Sequence, residues 1–223
     1  MPGKNVVKVY VENGYYHIYN RGVEKRTIFL DQKDYSVFLR FLKEYLLPPD
    51  HPNLLKFRQL TPKRHPINCF GEIRLLAYCL MQNHFHLFVK LIKKDALKKF
   101  MKALLTNYSM YFNHRYDRVG PLYQGTYKAA LVTSEPYYLH ITRYIHKNPY
   151  ELLSRDKPLQ SYPYSSYKYY LTNNSPDWLD ISEILKMFRS ARNLFPKDIL
   201  SYQAFVESYK KNEKELLGDL ALE

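Results

Sequence analysis

Two histidines separated by one hydrophobic residue stand in the middle of the stretch LLAYCLMQNHFHLFVKL. In an extended strand alternate side chains share a face, so His84 and His86 would lie side by side while Phe85 points to the other face. Two imidazoles in this arrangement can bind the same cation. The polar pair Gln82-Asn83 suits a hairpin turn that would place both histidines at the start of a strand. The pattern indicates a metal site.

A tyrosine and an amide one helical turn apart form a second chemical pair. Tyr144 and Asn148 are four residues apart and would lie on one face of a helix over residues 134–148. Phosphodiester cleavage needs a nucleophile and a way to stabilise the charge that develops on the phosphate, and a divalent cation supplies the second. A tyrosine nucleophile would form a covalent phosphotyrosine, and the Asn148 carbonyl would be the third metal ligand.

Each of these features also has a purely structural interpretation. Tyr144 is one of 23 tyrosines, most of which would fill the core. Asn148 stands before a proline, where a helix normally ends. A metal bound by the histidines could be a structural zinc ion, with Cys79 as an additional ligand if the hairpin brings it to the same face.

The elements that would position these residues follow the order β-α-β-β-α-β. Alternation and helical spacing predict strands over 15–20, 72–80, 84–92 and 127–133, and helices over 33–47, 95–116 and 134–147. This is the ferredoxin-like split βαβ order, an α+β fold with an antiparallel sheet and helices on one face. The order alone does not identify a chemistry, because the architecture hosts many functions.

The chain divides into a predicted catalytic domain and an extension. Residues 1–150 would form the catalytic domain, with a proline-rich exposed loop over 48–68 that could contact DNA. Residues 151–223 would form a mainly helical C-terminal extension, with helical stretches over 182–188 and 199–215.

Composition indicates a polyanionic partner. The chain of 223 residues has 34 Lys and Arg against 21 Asp and Glu, a formal charge of +13, together with 23 Tyr and 12 Phe. Basic and aromatic side chains together suit single-stranded nucleic acid, whose phosphates meet cations and whose bases stack on rings. No apolar run approaches the length that spans a membrane, and the N-terminal stretch lacks a long apolar core. Two cysteines without framework spacing fit a reduced, cytoplasmic protein.

Several motifs together resemble a known family. The segments YHIYNRG, QNHFHLFV, RYDRVGPLYQGTYKAALV, YLHITRYIHKNP and YPYSSYKYYL are similar to those of the HUH single-tyrosine transposases, and most closely to the REP-associated tyrosine transposases. The resemblance covers most of residues 15–170. It implies a Mg²⁺ or Mn²⁺ cofactor, single-stranded DNA hairpins as substrates and a 5′-phosphotyrosine intermediate.

Carried over by position, the resemblance assigns the roles within the site. Tyr144 would be the nucleophile, with Tyr127 and Tyr123 in reserve. The metal ligands would be His84, His86 and Asn148, the last at a position that often carries Gln in the insertion-sequence relatives.

The predicted function is that of a metal-dependent enzyme that nicks hairpin-flanked single-stranded DNA and transfers the strand. Residues expected to contact phosphates are Arg21, Arg115, Arg118 and Lys128. The alternative is a non-cleaving, regulatory nucleic-acid-binding protein of the same fold, although such a protein has no physical reason to keep both histidines and the tyrosine. A homodimer stays open, because the insertion-sequence relatives form dimers with shared sites whereas the REP-associated branch can act as monomers.

Overall fold

A four-stranded antiparallel sheet forms the centre of the protein. The structure is a computed structural model, and it describes residues 9–55, 67–154, 157–197 and 199–208. The strands are β1 (Tyr15–Arg21), β2 (Ile73–Met81), β3 (His84–Leu91) and β4 (Lys128–Val132). They are arranged in the order β2-β3-β1-β4 with antiparallel neighbours throughout. This is the ferredoxin-like order, and it confirms the predicted fold class.

Two long helices cover one face of this sheet. They are α1 (Gln32–Leu46) and α2 (Ala96–Arg115). The side chain of Asp31 caps α1 by accepting hydrogen bonds from the first backbone N–H groups of the helix. The ring of Phe38 in α1 lies 5.3 Å from that of Phe85 in β3 and 5.1 Å from that of Tyr108 in α2. Both helices therefore pack on the face to which Phe85 points.

A third helix, α3 (Glu135–Lys147), packs on the opposite face. The ring of Tyr138 in this helix stacks on Tyr15 at 4.0 Å and lies 6.1 Å from Phe88. Because Phe88 and His86 share a parity along β3, α3 covers the face that carries the histidines. The prediction of helices on one face is right for α1 and α2 and does not extend to α3.

The C-terminal region packs along β2 and against α3. Its helices are α4 (Tyr167–Thr172), α5 (Ser182–Ser190) and α6 (Tyr202–Glu207), and short 3-10 helices occur at Val23–Lys25, Asn148–Leu152, Leu159–Ser161 and Arg192–Leu194. The backbone N–H of Leu80 donates to the carbonyl of Tyr164, and that of Ser166 to the carbonyl of Tyr78, so this segment borders the outer edge of β2. The domain boundary at residue 150 stays a prediction.

Two segments predicted from the sequence lie only partly within the described residues. Of the predicted exposed loop over 48–68, residues 56–66 lie outside the described residues. Within its described part, the side chain of Leu54 is buried rather than exposed. Of the predicted helical stretch over 199–215, the described part forms α6, and residues 209–215 lie outside. None of the helices in the described residues is long and apolar enough to cross a membrane.

Candidate active site

The hydrogen bonds of His84 fix which of its ring nitrogens carries a lone pair. The side-chain amide of Asn83 donates from Nδ2 to the carbonyl of Lys25, which turns Oδ1 toward His84 Nδ1 at 2.6 Å. An amide oxygen only accepts, so His84 Nδ1 carries the hydrogen and Nε2 carries the lone pair. Desolvation lowers the pKa of His84 to about 4, so the ring is neutral at pH 7.

The hairpin turn before His84 is held by the segment that follows β1. The backbone N–H of Gly22 donates to the carbonyl of Asn83 at 2.8 Å, and that of Ile28 donates to the carbonyl of Gln82 at 2.8 Å. A Cβ atom on Gly22 would lie 2.3 Å from the backbone oxygen of Arg26, so this approach leaves no room for a side chain. The position of His84 therefore depends on two segments about sixty residues apart.

His86 is fully buried and is held by a third histidine. Its Nδ1 lies 2.9 Å from Nε2 of His17, which is also fully buried in the neighbouring strand β1. His86 Nε2 is buried as well and forms no well-aligned hydrogen bond within the described residues, although the Asn148 side chain approaches this ring. Desolvation lowers the pKa of His86 well below its usual value, and the nearby charges of His84, His17 and Arg21 lower it further.

Helix α3 brings the tyrosine and the amide to the histidine pair. The Tyr144 ring meets His86 edge-on at 5.4 Å and His17 at 5.8 Å between ring centres. The Asn148 side chain donates from Nδ2 to the Tyr144 carbonyl at 2.9 Å, which turns Oδ1 toward His84 Nε2 at 3.5 Å. The structure therefore unites the two halves of the site that the sequence separates by sixty residues.

Two of the atoms that converge here, His84 Nε2 and Asn148 Oδ1, are hydrogen-bond acceptors. His84 Nε2 and Asn148 Oδ1 face each other with lone pairs and no hydrogen between them, and His86 Nε2 ends in the same region. A cation can bind to these lone pairs, whereas a further hydrogen-bond acceptor cannot. Within the described residues no group of three His, Cys, Asp or Glu side chains is arranged to hold a metal ion, so a third protein ligand would have to be the amide of Asn148.

Cys79 does not complete a zinc site. It is the cross-strand neighbour of His86, but its sulfur lies 3.6 Å from that of Met81. Burial raises the pKa of the Cys79 thiol, and zinc binds the thiolate form. The geometry therefore gives no support to the structural-zinc alternative.

The two reserve tyrosines are placed differently from Tyr144. The ring of Tyr123 meets Phe85 edge-on at 6.1 Å, which puts it on the sheet face opposite the histidines, and burial raises its pKa well above the usual value. The hydroxyl of Tyr127 is hydrogen-bonded to that of Tyr10 at 2.6 Å. Tyr10 packs against Tyr16, which also points away from the histidine face. The geometry favours Tyr144 over both.

Two of the four predicted DNA-contacting residues flank the histidines. Arg21 is the cross-strand neighbour of His84, and its charge contributes to the lowered pKa of that histidine. Lys128 is the cross-strand neighbour of Tyr19, with Nζ 5.8 Å from the centre of the Tyr19 ring. Both side chains therefore start from the sheet face that carries the histidines.

The other two predicted DNA-contacting residues, Arg115 and Arg118, form hydrogen bonds or ion pairs with groups of the chain itself. Arg115 forms ion pairs with Asp31 at 2.5 Å and with Asp34 at 2.7 Å. Arg118 donates to the side chain of Asn113 at 2.8 Å and to the carbonyl of Pro121 at 2.9 Å. Their contact with DNA stays a prediction, but these bonds explain both residues as supports of the loop after α2.

The sequence did not predict the contacts of two residues with the histidines, those of His17 with His86 and of Asn83 with His84. A signal for His17 was present, because the ferredoxin-like order makes β1 and β3 neighbours and both strands carry histidine. The register that aligns the two rings was not readable from the sequence.

Comparison with known proteins finds one family model that matches part of this chain. Residues 64–148 match the family model described as "Transposase IS200 like". Among solved structures, "the REP associates tyrosine transposase bound to a REP hairpin" is 14% identical with a TM-score of 0.49, covering 79% of this chain and 92% of that one. A Deinococcus radiodurans R1 protein described as a candidate transposase is 14% identical with a TM-score of 0.35, covering 66% and 97%.

A search of the curated proteins found no match. Neither solved structure reaches a TM-score of 0.5, so the fold assignment rests on strand order and register. The segment matched by the family model contains His84, His86, Tyr144 and Asn148, and it leaves out β1 with His17.

Proposed function

We propose that this chain, whose residues 64–148 match the model of the IS200-like transposases, cuts single-stranded DNA at hairpin-flanked sites through Tyr144 and transfers the strand. One observation carries the proposal. The side chains of His84, His86 and Asn148 converge beside the Tyr144 ring, so the proposed cation ligands and the proposed nucleophile lie within one small region.

The residues present fit a divalent cation. His84 Nε2, His86 Nε2 and Asn148 Oδ1 would hold Mg²⁺ or Mn²⁺, which when bound supplies Lewis-acid stabilisation of the phosphate charge. The lowered pKa values of both histidines keep their lone pairs available at neutral pH. Two imidazoles favour later transition metals by affinity, so the choice of Mg²⁺ or Mn²⁺ rests on the family resemblance.

The proposed bond changes begin at the hydroxyl oxygen of Tyr144. The oxygen loses its proton and attacks the phosphorus, forming a Tyr144–phosphate bond. The bond from phosphorus to the 3′-oxygen breaks, and that oxygen keeps the electron pair and takes up a proton. A 3′-hydroxyl attacking the phosphotyrosine reverses these changes and joins a strand, so the energy of the cut bond is conserved.

Positive charge near Tyr144 serves both binding and ionisation. A phenol has a reference pKa of about 10, so a tyrosine nucleophile needs help to lose its proton. Arg21 and Lys128 border the site and would bind the phosphate, and their charges favour the phenolate. The formal charge of +13 draws the DNA to the protein over a longer range.

The proposed site is formed by residues of one chain. The ring centres of Tyr144 and His86 of the same chain lie 5.4 Å apart, which supports a site that is complete in cis, and a homodimer stays open. We expect the activity per chain to be independent of protein concentration, with the oligomeric state measured in parallel by light scattering. A dimer that loses activity on dilution would contradict this.

Transfer of the protein onto DNA is the direct test. A 5′-labelled and a 3′-labelled single-stranded hairpin oligonucleotide would be incubated with the protein and Mn²⁺, then run on a denaturing gel. We expect a protein-linked product that is abolished by EDTA and by Tyr144→Phe. Tyr127→Phe is the matched control, because it removes a hydroxyl hydrogen-bonded on the other face, and it should retain the product.

Two results would contradict the proposal. Hairpin binding without any protein-linked product, in either metal, would make the chain a non-cleaving nucleic-acid-binding protein. A product that persists in Tyr144→Phe and disappears in Tyr127→Phe would assign the nucleophile to Tyr127.

A further inference from the structure

We propose that His17 is a positioning residue that fixes the tautomer of His86, and with it the direction of the lone pair that binds the cation. The part that concerns the cation rests on the proposed function, whereas the tautomer can be observed without metal or DNA. His17 lies in β1, outside the segment that matches the transposase family model.

The contact between His17 and His86 is enclosed and well aligned. The two rings are fully buried, their planes are 17° apart and their centres are 5.1 Å apart. His17 Nε2 and His86 Nδ1 are 2.9 Å apart, an ordinary hydrogen-bond distance. The strands hold this pair, because Tyr19 lies opposite His86 and His17 lies opposite Phe88 in the register of β1 with β3.

One hydrogen occupies this contact, and the far side of His86 determines which ring supplies it. If His86 carried its hydrogen on Nε2, that group would be a buried donor without a well-aligned acceptor among the described residues, because the nearby Asn148 Oδ1 faces His84 Nε2 at 3.5 Å. If the hydrogen is on Nδ1, it is donated to His17 Nε2, and His86 Nε2 presents a lone pair to the site. His17 is then the acceptor and carries its own hydrogen on Nδ1.

The same arrangement holds His84 with a different acceptor. The Asn83 amide oxygen accepts from His84 Nδ1, just as the His17 imidazole accepts from His86 Nδ1. Many metal-binding histidines donate to a carboxylate instead. Here both acceptors are neutral, so no negative charge behind the ligands offsets the cation, and its full charge acts on an anionic phosphate.

Nuclear magnetic resonance can read the tautomers directly. Long-range ¹H–¹⁵N correlation of the histidine rings would be recorded on the whole protein in EDTA at pH 7. We expect His84 and His86 to carry hydrogen on Nδ1 with an unprotonated Nε2. His146, which is fully buried with both ring nitrogens hydrogen-bonded, serves as a reference in the same spectrum.

A pair of substitutions separates the acceptor from the bulk of the side chain. His17→Leu removes the acceptor, so we expect the His86 hydrogen to move to Nε2 and the Mn²⁺ dissociation constant, measured by calorimetry, to rise about 10–100-fold. His17→Gln can present an amide oxygen near the position of Nε2, so it should keep the His86 tautomer and bind Mn²⁺ nearly as the unchanged protein does. Thermal unfolding of both variants controls for folding.

The outcomes distinguish this inference from the proposed function. A hydrogen on His86 Nε2 in the unchanged protein overturns the inference, and this spectrum decides even if His17→Leu fails to fold. Unaltered Mn²⁺ affinity in a folded His17→Leu overturns it as well. A hydrogen on His86 Nδ1 that depends on His17, in a protein that forms no DNA adduct, supports the inference while the proposed function fails.

Discussion

The histidine half and the tyrosine half of the site are held by different means. The histidines lie in the central strands, where the sheet ladder, Asn83 and His17 fix their rings. Tyr144 lies on α3, whose position depends on the C-terminal region. The buried guanidinium of Arg143 donates to the backbone oxygen of Phe205, and His146 is bonded to Tyr202 and Ser166.

This difference separates binding of the cation from placement of the nucleophile. Binding of the cation depends on hydrogen bonds within the ferredoxin-like fold, which many proteins share. Placement of the nucleophile depends on packing against residues far along the chain. Damage to one half should therefore leave the other measurable.

The largest expected effect comes from removing one histidine. His84→Ala deletes a proposed ligand, so we expect DNA cleavage to disappear and Mn²⁺ affinity to fall by more than about 100-fold, beyond the loss typical of residues behind the ligands. Tyr144→Phe should abolish cleavage equally while Mn²⁺ binding, measured by calorimetry, stays unchanged. Weaker Mn²⁺ binding in Tyr144→Phe would show that the halves are not separate.

Loosening the support of α3 should affect the tyrosine half alone. Phe205 is fully buried against His140 and Phe195, so Phe205→Ala should lower the free energy of unfolding by about 3–5 kcal/mol. We expect slower cleavage with unchanged Mn²⁺ affinity in the fraction that stays folded, measured well below the unfolding temperature. Leu200→Ala is the control, because Leu200 is 77% exposed and should change neither. Equal losses of cleavage and metal binding would contradict this.

Acid should destabilise both halves through their buried imidazoles. Desolvation lowers the pKa of His84 to about 4 and of His146 to about 3, both below the unfolded value of about 6.5. Below pH 6.5 the unfolded state binds more protons than the folded state, so stability is full above this pH and declines as the pH falls toward 4. Each such histidine contributes a slope of up to about 1.4 kcal/mol per pH unit.

Replacing one of these histidines should flatten that dependence. We expect His146→Gln to reduce the slope between pH 6 and 4.5 by about 1.4 kcal/mol per pH unit, measured by urea unfolding in EDTA. An undiminished slope would mean that His146 is protonated in the folded protein.

The smallest expected effect is on DNA binding. It distinguishes the cationic side chains near the histidines from those paired with groups of the chain itself. Lys128→Ala should weaken hairpin binding and reduce the slope of log affinity against log salt by about 0.7 to 0.9, because one phosphate contact is lost. Arg115→Ala should leave that slope unchanged, since its guanidinium pairs with Asp31 and Asp34, and should lower stability instead. A reduced salt slope in Arg115→Ala would restore it as a DNA contact.

The histidine half was largely predictable from the sequence. Alternation placed His84 and His86 on one face, and the Gln82-Asn83 turn and the strand order follow from local patterns. The match over residues 64–148 agrees with the family resemblance for the motifs that lie in this segment. What local patterns could not give was the ring-to-ring contact with His17, because it depends on the register between strands about seventy residues apart.

The supports of the tyrosine half could not be predicted. The contacts of Arg143 and His146 with α6 join residues about sixty positions apart, and neither helical spacing nor composition indicates which helix faces which. For the same reason Arg115 was predicted to contact phosphate, because its partners Asp31 and Asp34 lie more than eighty positions away in the sequence.

The segment that borders β2 has a consequence for the behaviour of the protein in concentrated solution. Backbone groups of Tyr164 and Ser166 bond to the outer edge of β2, so part of that edge offers no open row to a neighbouring molecule. The opposite edge, β4, is only five residues long and begins with a lysine, whose charge discourages strand pairing between molecules. The sheet thus meets the hazard of edge-to-edge aggregation in two ways, by a cover on one side and by shortness and charge on the other.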